Sequence, residues 1–272
     1  MMILTKCPPN QKISNVIRFF WHLEGLNAQK DYIKILPFGA LDIIIHKARP
    51  MLLGEGFKNN DEPQAFVEGQ YMKYHYKRPS GHTRIVGISL QPWASEYLFG
   101  LPSLEFTGEI APLEALTNSH QKLVDAVMEV DETKLIFELL NDYFLSFCAD
   151  MPEDQNHDLL QFSHQLRSFE STSIKHIAAN FWGGSMRKLQ SDFLSVFGIT
   201  MSDFRRKARF QNSISKLHDR DQNLTKIAHA CGFFDQSHFN RSFNEFTGVN
   251  PKDYYNQLGT QQPLTVMGAL TH

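Results

Sequence analysis

The chain has 272 residues, 42% of them hydrophobic and 21% charged, with 27 Lys+Arg against 29 Asp+Glu. That length fits one large domain or two ordinary ones, and the composition excludes a collagen, a low-complexity chain and a disulfide-stapled miniprotein. Cys7, Cys148 and Cys231 stand too far apart for a C-x-x-C metal or redox pair, and so sparse a set of thiols fits a reducing compartment. The opening MMILTKCPPN is too short in apolar residues for a signal-peptide core. The expectation is a cytoplasmic protein with no membrane segment.

From the N-terminus, short apolar or alternating runs predict strands at Val16–Leu23, Tyr32–Leu36, Leu41–His46, Ala65–Val67 and Ile85–Leu90. Pro37, Gly39, Pro50, Gly54, Gly56, Pro63, Pro79 and Gly81 punctuate them. Such spacing predicts a β-rich sandwich or barrel over residues 1–112. Gln91-Pro92 ends the last strand, and Trp93–Phe99 reads as a short helix with proline in its first turn. From Leu113 the apolar residues recur at helical spacing, and two helices flanking Asp131 are expected within a helical segment and linker, 113–158. Their stripes suit internal packing, a domain junction or a homodimer contact, and the spacing does not choose among these. Asp150–Asp158, DMPEDQNHD, is the linker candidate.

Residues 159–258 repeat themselves at an interval of fifty. Ile177-Ala178 matches Ile227-Ala228, Phe193 matches Phe243, and Gly198 and Asp203 match Gly248 and Asp253. Leu189 with Phe239 and Phe204 with Tyr254 are conservative pairs in the same frame. In the second copy Asn223 is expected to cap a helix to about Cys231, Gly232 to make the turn, and Asp235 to cap Gln236–Thr247, closed by Gly248. In the first copy Ser173 caps Ile174–Phe181, Gly183-Gly184 makes the turn, and Ser185 caps Met186–Phe197, closed by Gly198. Helix, turn, helix, twice, is a pair of helix-turn-helix units.

Burying Phe239, Phe243 and Phe246 leaves Gln236, Ser237, Asn240 and Arg241 outward. Burying Leu189, Phe193 and Val196 leaves Met186, Arg187, Gln190 and Ser191 outward. Amide, guanidinium and hydroxyl groups are the types that hydrogen-bond base edges, although any solvated helix face carries some of them. Residues 171–257 hold 12 Lys+Arg against 7 Asp+Glu, whereas residues 1–150 hold 14 against 18. A helix from Phe204 to about His218 joins the copies and carries Arg205, Arg206, Lys207 and Arg209 as phosphate-contact candidates. At 1.5 Å per residue it spans about 22 Å, which with the flanking bundles suits recognition helices one DNA turn apart, about 34 Å.

The run Ile227-Ala228…Gly232-Phe233…Asp235…Ser237…Phe239…Arg241-Ser242-Phe243…Gly248…Pro251…Tyr254 resembles the signature of AraC/XylS-type transcriptional regulators. The resemblance covers about residues 160–258. It implies two helix-turn-helix subdomains that insert their second helices into successive major grooves of a bipartite operator in double-stranded DNA. By position, Arg187, Gln190 and Ser191 read bases for the first copy, and Gln236, Ser237, Asn240 and Arg241 for the second. The first copy departs from the pattern at Phe181-Trp182-Gly183-Gly184 and at Met201, where the second has Pro251. Pro37–Ile44, Phe66–Gly69 and Gly87–Pro92 more loosely resemble a sensory domain found ahead of this module, which implies a cupin-like barrel. The expected fold class is therefore α+β: a β-rich cupin-like barrel, a helical linker, then an all-α module of two helix-turn-helix units joined by a helix. A small-molecule effector or a protein partner is expected to act through the first domain, with RNA polymerase as a further partner for an activator. The tail 259–272 lacks periodicity and is expected to be mobile.

A metal-dependent cupin-like enzyme fused to a DNA-binding tail is the competing class. His22 with Glu24, and His75 with His82, come nearest to ligand spacing, but no compact set of three or four ligands forms, and no Walker or Rossmann glycine pattern is present. No catalytic residue, cofactor or metal is expected. Cys231 reads as a small core residue. In the first domain Asp42 alternates with Leu41 and Ile43 on a strand. A carboxylate there needs a partner if buried, either Arg18 or Arg84, or else lines a ligand pocket.

Overall fold

The computed structural model describes residues 2–26, 32–37, 41–54, 61–79, 81–117, 120–149, 157–167, 172–218 and 223–257. Residues 150–156 of the linker candidate Asp150–Asp158, and the expected tail 259–272, lie outside these, whereas the candidate's last two residues, His157 and Asp158, begin a helix. Two compact units divide the chain: Met1–Lys34, Gly39–Gln70 and His75–Gln155 form one, and Ile35–Phe38, Tyr71–Tyr74 and Asn156–His272 the other.

The first unit is built on strands β1 (Met2–Cys7), β2 (Ile17–Leu26), β3 (Ile33–Ile35), β4 (Leu41–His46), β5 (Leu52–Leu53), β6 (Ala65–Glu68), β7 (His75–Arg78), β8 (His82–Leu90) and β9 (Ile110–Pro112). They form a six-stranded sheet in the order β1-β2-β8-β4-β6-β9 and a three-stranded sheet in the order β3-β7-β5. The β-rich, cupin-like expectation stands, as two sheets and not one hydrogen-bonded ring among the described residues. The long strands are antiparallel, with Ile43 opposite both Val67 and Ile88. Ile43, Ile45, Val67, Val86, Ile88 and Leu90 therefore share one face. That face packs against helices α3 (Gln121–Glu129) and α4 (Thr133–Phe147), which follow the short α1 (Ala94–Phe99) and α2 (Leu113–Leu116). Asp131 lies in the break between α3 and α4, as the periodicity predicts. Leu123 and Val127 on α3, and Ile136, Leu140 and Phe144 on α4, are the buried stripes.

The opposite face carries Trp21, Ile44, Phe66 and Asp42. Gly87 lies directly beneath Trp21: a Cβ on it would come within 1.8 Å of the indole. No substitution fits there without displacing a side chain that is 2% exposed.

In the second unit, α5 (His157–Arg167), α6 (Ile174–Phe181) and α7 (Met186–Phe197) precede the long α8 (Met201–His218). Helices α9 (Leu224–Ala230), α10 (Gln236–Thr247) and α11 (Pro251–Gln257) follow. The fifty-residue interval is reproduced in the bounds of α7 and α10. Phe193 meets Phe204 edge-on at 5.4 Å in the first copy, and Phe243 meets Tyr254 edge-on at 5.4 Å in the second. Helix α8 belongs to both cores. Met201 and Phe204 pack with Leu189, Phe193 and Phe197, whereas Phe210, Ile214 and Leu217 pack with Ile227, Phe239, Phe243 and Phe246. Val196, expected in the buried stripe of α7, is only partly buried, and Phe197 takes the inner place.

Candidate nucleic-acid interface

Both second helices start at side-chain caps. Ser185 accepts from the Lys188 amide and Asp235 from the His238 amide, at 3.2 and 2.7 Å. Each satisfies one of the otherwise orphaned first-turn N–H groups. Both helices end at a glycine in the left-handed region, Gly198 (φ 70°) and Gly248 (φ 72°), where other residues carry a Cβ penalty. The turns between helices differ. Gly232 in the second copy has φ 73°, but neither Gly183 nor Gly184 has a positive φ. In the first copy the chain leaves α6 through an extended Trp182.

Along α7, Arg187, Gln190 and Ser191 are all exposed. Along α10, Gln236, Ser237 and Arg241 are exposed and Asn240 is half-buried. Thr225 Oγ1 donates to Gln236 Oε1 at 2.9 Å. Asn240 Oδ1 is buried with no hydrogen-bond partner among the described residues. Its position is therefore less open than that of its three neighbours. The stripes Leu189–Phe193–Phe197 and Phe239–Phe243–Phe246 hold the polar residues outward, because they turn each helix's opposite side into the core.

The basic cluster on α8 is less uniform than its sequence. Arg206 bonds Glu245 on α10 at 2.6 Å and Asp203 at 3.3 Å, and lies over the Phe246 ring. Arg205 donates to the Thr172 carbonyl at 2.8 Å. Burial lowers the guanidinium pKa of Arg205, and burial with the neighbouring Arg205 charge lowers that of Arg209. Lys207 is a correction: it is 4% exposed and heads the inward stripe Lys207–Phe210–Ile214–Leu217. A phosphate cannot reach it without opening that face. Cys231 is buried as expected, which pushes its thiol up to about 11.

In the β-rich unit Asp42 is 4% exposed. Burial raises its pKa to about 6, against the pull of the Ser89 hydroxyl and the Arg18 charge. Arg84 is not its partner, since it binds Glu24 at 3.0 Å and Asp131 at 2.8 Å. Beside Asp42 lies an ionic cluster that sequence reading misses. Lys77 Nζ sits 2.7 Å from both Glu62 and Glu68, and His46 Nε2 lies 2.8 Å from Glu62. Burial alone would push Glu68 up and Lys77 down. The paired charges outweigh it, holding Glu68 at about 2 and Lys77 above the ordinary ammonium range. Of the histidines singled out earlier, His22 bonds the Thr133 hydroxyl at 2.8 Å, His75 lies 3.6 Å from Glu68, and His82 lies 4.0 Å from Glu24. They are not brought together. Among the described residues no group of three or more His, Cys, Asp or Glu is placed to hold a metal, and no helix is long and apolar enough to cross a membrane.

A helix-turn-helix domain family matches residues 178–257, and a domain of unknown function, DUF6597, matches residues 5–112. The chain is 30% identical over 105 residues to the probable transcription factor PqrA of Proteus vulgaris, covering 38% of this chain and 85% of that protein. The chain belongs to the AraC/XylS family. It is also 30% identical over 88 residues to the HTH-type transcriptional activator RhaS of Pectobacterium atrosepticum, covering 30% of this chain. Only about a third of RhaS, 32%, is spanned by that match. A solved structure of ToxT from Vibrio cholerae O395 aligns with 89% of this chain and 98% of its own, at 12% identity and a TM-score of 0.49. Arg187, Gln190, Ser191, Gln236, Ser237, Asn240 and Arg241 of this family member all fall within the matched helix-turn-helix region, 178–257.

Proposed function

We propose that this family member is a sequence-specific transcription regulator that reads a bipartite operator with α7 and α10 in successive major grooves. Arg187, Gln190 and Ser191 read one half, and Gln236, Ser237, Asn240 and Arg241 the other. The carrying observation is the pair of capped helices, fifty residues apart, that hold polar side chains outward over aromatic stripes. Arg187 and Arg241 suit guanine, whose O6 and N7 accept a bidentate guanidinium. Arg205 and Arg209 are proposed to steady the phosphate backbone, which sets register and affinity without reading sequence. The domain boundaries proposed are 1–112, 113–158 and 159–258.

The β-rich domain is proposed to regulate this binding through a ligand or protein partner. Support comes from two buried polar atoms on the same sheet face, Trp21 Nε1 and Asp42 Oδ1, which have no hydrogen-bond partner among the described residues. One donates and the other accepts or titrates, so a polar ligand would satisfy both. RhaS is named a transcriptional activator; should this chain activate as well, RNA polymerase is its proposed further partner.

The test is a selection on random duplexes with the purified chain, repeated for Arg187→Ala and Arg241→Ala at fixed salt. The expected result is a two-part motif with halves about 10 base pairs apart, one half relaxed by each substitution. Equal weak binding to all duplexes, with no motif, would refute the reading.

A further inference from the structure

Phe234 is the most exposed large apolar side chain among the described residues, at 87%, whereas the others lie between 37% and 59%. Singly exposed apolar residues are ordinary on protein surfaces, so the position and surroundings of this one matter. Phe233 before it is turned into the core, 4% exposed and in contact with the Phe239 ring at 5.1 Å. Asp235 after it is extended (φ −150°, ψ 175°) and caps α10. With Phe233 inward, Phe234 projects outward at the N-terminal end of α10, beside Gln236 and Ser237.

That end of a recognition helix is the one directed at base edges in helix-turn-helix docking. An open ring there contributes nothing to the folded core, and it stands among groups that hydrogen-bond. A base edge in the major groove offers one apolar feature, the 5-methyl group of thymine, which phenylalanine contacts. The first copy has Gly184 at the equivalent position, fifty residues earlier, and so lacks any such group.

We propose that Phe234 is a specificity-determining residue that reads the thymine 5-methyl group in the half-site under α10, and that α7 has no counterpart to it. The inference rests on the DNA-reading role proposed above.

The experiment takes the selected operator and replaces each thymidine by 2′-deoxyuridine in turn, which removes one methyl and leaves the hydrogen-bonding edge intact. Wild-type full-length chain is expected to lose about four-fold in affinity at one position, or two adjacent ones, under α10, the equivalent of one methyl-sized group returned to water. Phe234→Ala is expected to bind the thymidine and deoxyuridine duplexes alike, with its melting temperature and salt slope unchanged, and Phe234→Leu to keep part of the discrimination. Three results overturn the proposal while the operator motif persists. The first is a flat deoxyuridine scan under α10. The second is a Phe234→Ala chain that still discriminates. The third is a variant normal on every duplex but defective in transcription with polymerase, which would assign the ring to a protein partner. Failure to select any motif refutes the DNA-reading role itself and is recognised before Phe234 is tested.

Discussion

Lys77 shows how a single buried ion can organise its surroundings. Its ammonium is held between Glu62 and Glu68 at 2.7 Å, and all three side chains are almost fully enclosed. Removing the cation leaves two carboxylates without their counter-charge, the costly way to break a buried pair. Lys77→Met is expected to destabilise the β-rich unit by about 3–5 kcal/mol, measured by denaturant unfolding followed in the near-ultraviolet. Asp42 makes an opposite, pH-dependent contribution. Its carboxyl is held at about 6, above the ordinary value of 3.8, so the folded chain binds that proton more tightly than the unfolded one. The associated stability is complete below pH 3.8 and lost as pH rises through about 6. The shift is equivalent to about 3 kcal/mol. Asp42→Asn abolishes the ionisation, so its melting temperature relative to wild type is expected to rise between pH 4.5 and pH 7.5. A constant difference across that range would refute the assignment. From the sequence, Asp42 is recognisable as an acidic residue on an apolar strand. Its neighbours are not, because Glu62, Glu68 and Lys77 converge only once strand register is set, and register is a non-local property.

Helices whose signals lie within four residues are legible in the sequence. Ser173, Ser185, Asn223 and Asp235 all accept from the amide three residues on, as their side chains and positions predict. Asp235→Ala is expected to cost about 1 kcal/mol and to weaken binding at the α10 half-site, while Asp235→Ser retains most of both; melting curves and half-site affinities measure this. Strands held mainly by distant partners are less legible. β1 is an edge strand whose burial never becomes deep, and β5, β7 and β9 are two to four residues long. None of them has an alternating pattern long enough to stand out against a loop. The turn of the first copy is a subtler case. Two adjacent glycines suggest a left-handed turn, but freedom to adopt a positive φ is not an obligation to do so.

At the scale of the helix-turn-helix module, the spacing of α7 and α10, the two proposed readers, is set by one helix. Eighteen residues make α8 about 27 Å long, longer than the sequence suggests, because Met201–Asp203 join it. Thr200 caps Asp203 as Asn250 caps Asp253, a pairing that begins both α8 and α11 in the same way. Arg206 ties α8 to α10, and Phe210 stacks on Phe246 at 4.6 Å. A helix anchored to both cores cannot stretch. One base pair inserted between the operator halves turns them by about 35° and is expected to reduce affinity at least ten-fold. A ten-base-pair insertion restores the phase but not the distance, and is not expected to rescue binding in a gel-shift titration. Rescue at ten would mean that the two readers are loosely tethered.

The fifty-residue repeat and the two packed cores do not share a boundary. Asp203 and Phe204 correspond to Asp253 and Tyr254, so the opening turns of α8 are the first copy's equivalent of α11. Its later turns serve the second copy as α5 serves the first. One continuous helix, Met201–His218, thus fills two places, closing the first unit and opening the second. A break before α8 strips the first core of Phe204, a break after it strips the second of Phe210, Ile214 and Leu217, and only a cut through the middle of the helix leaves each set with its own core. The two units are therefore coupled through a shared structural member, and a fault in α8 is felt in both cores.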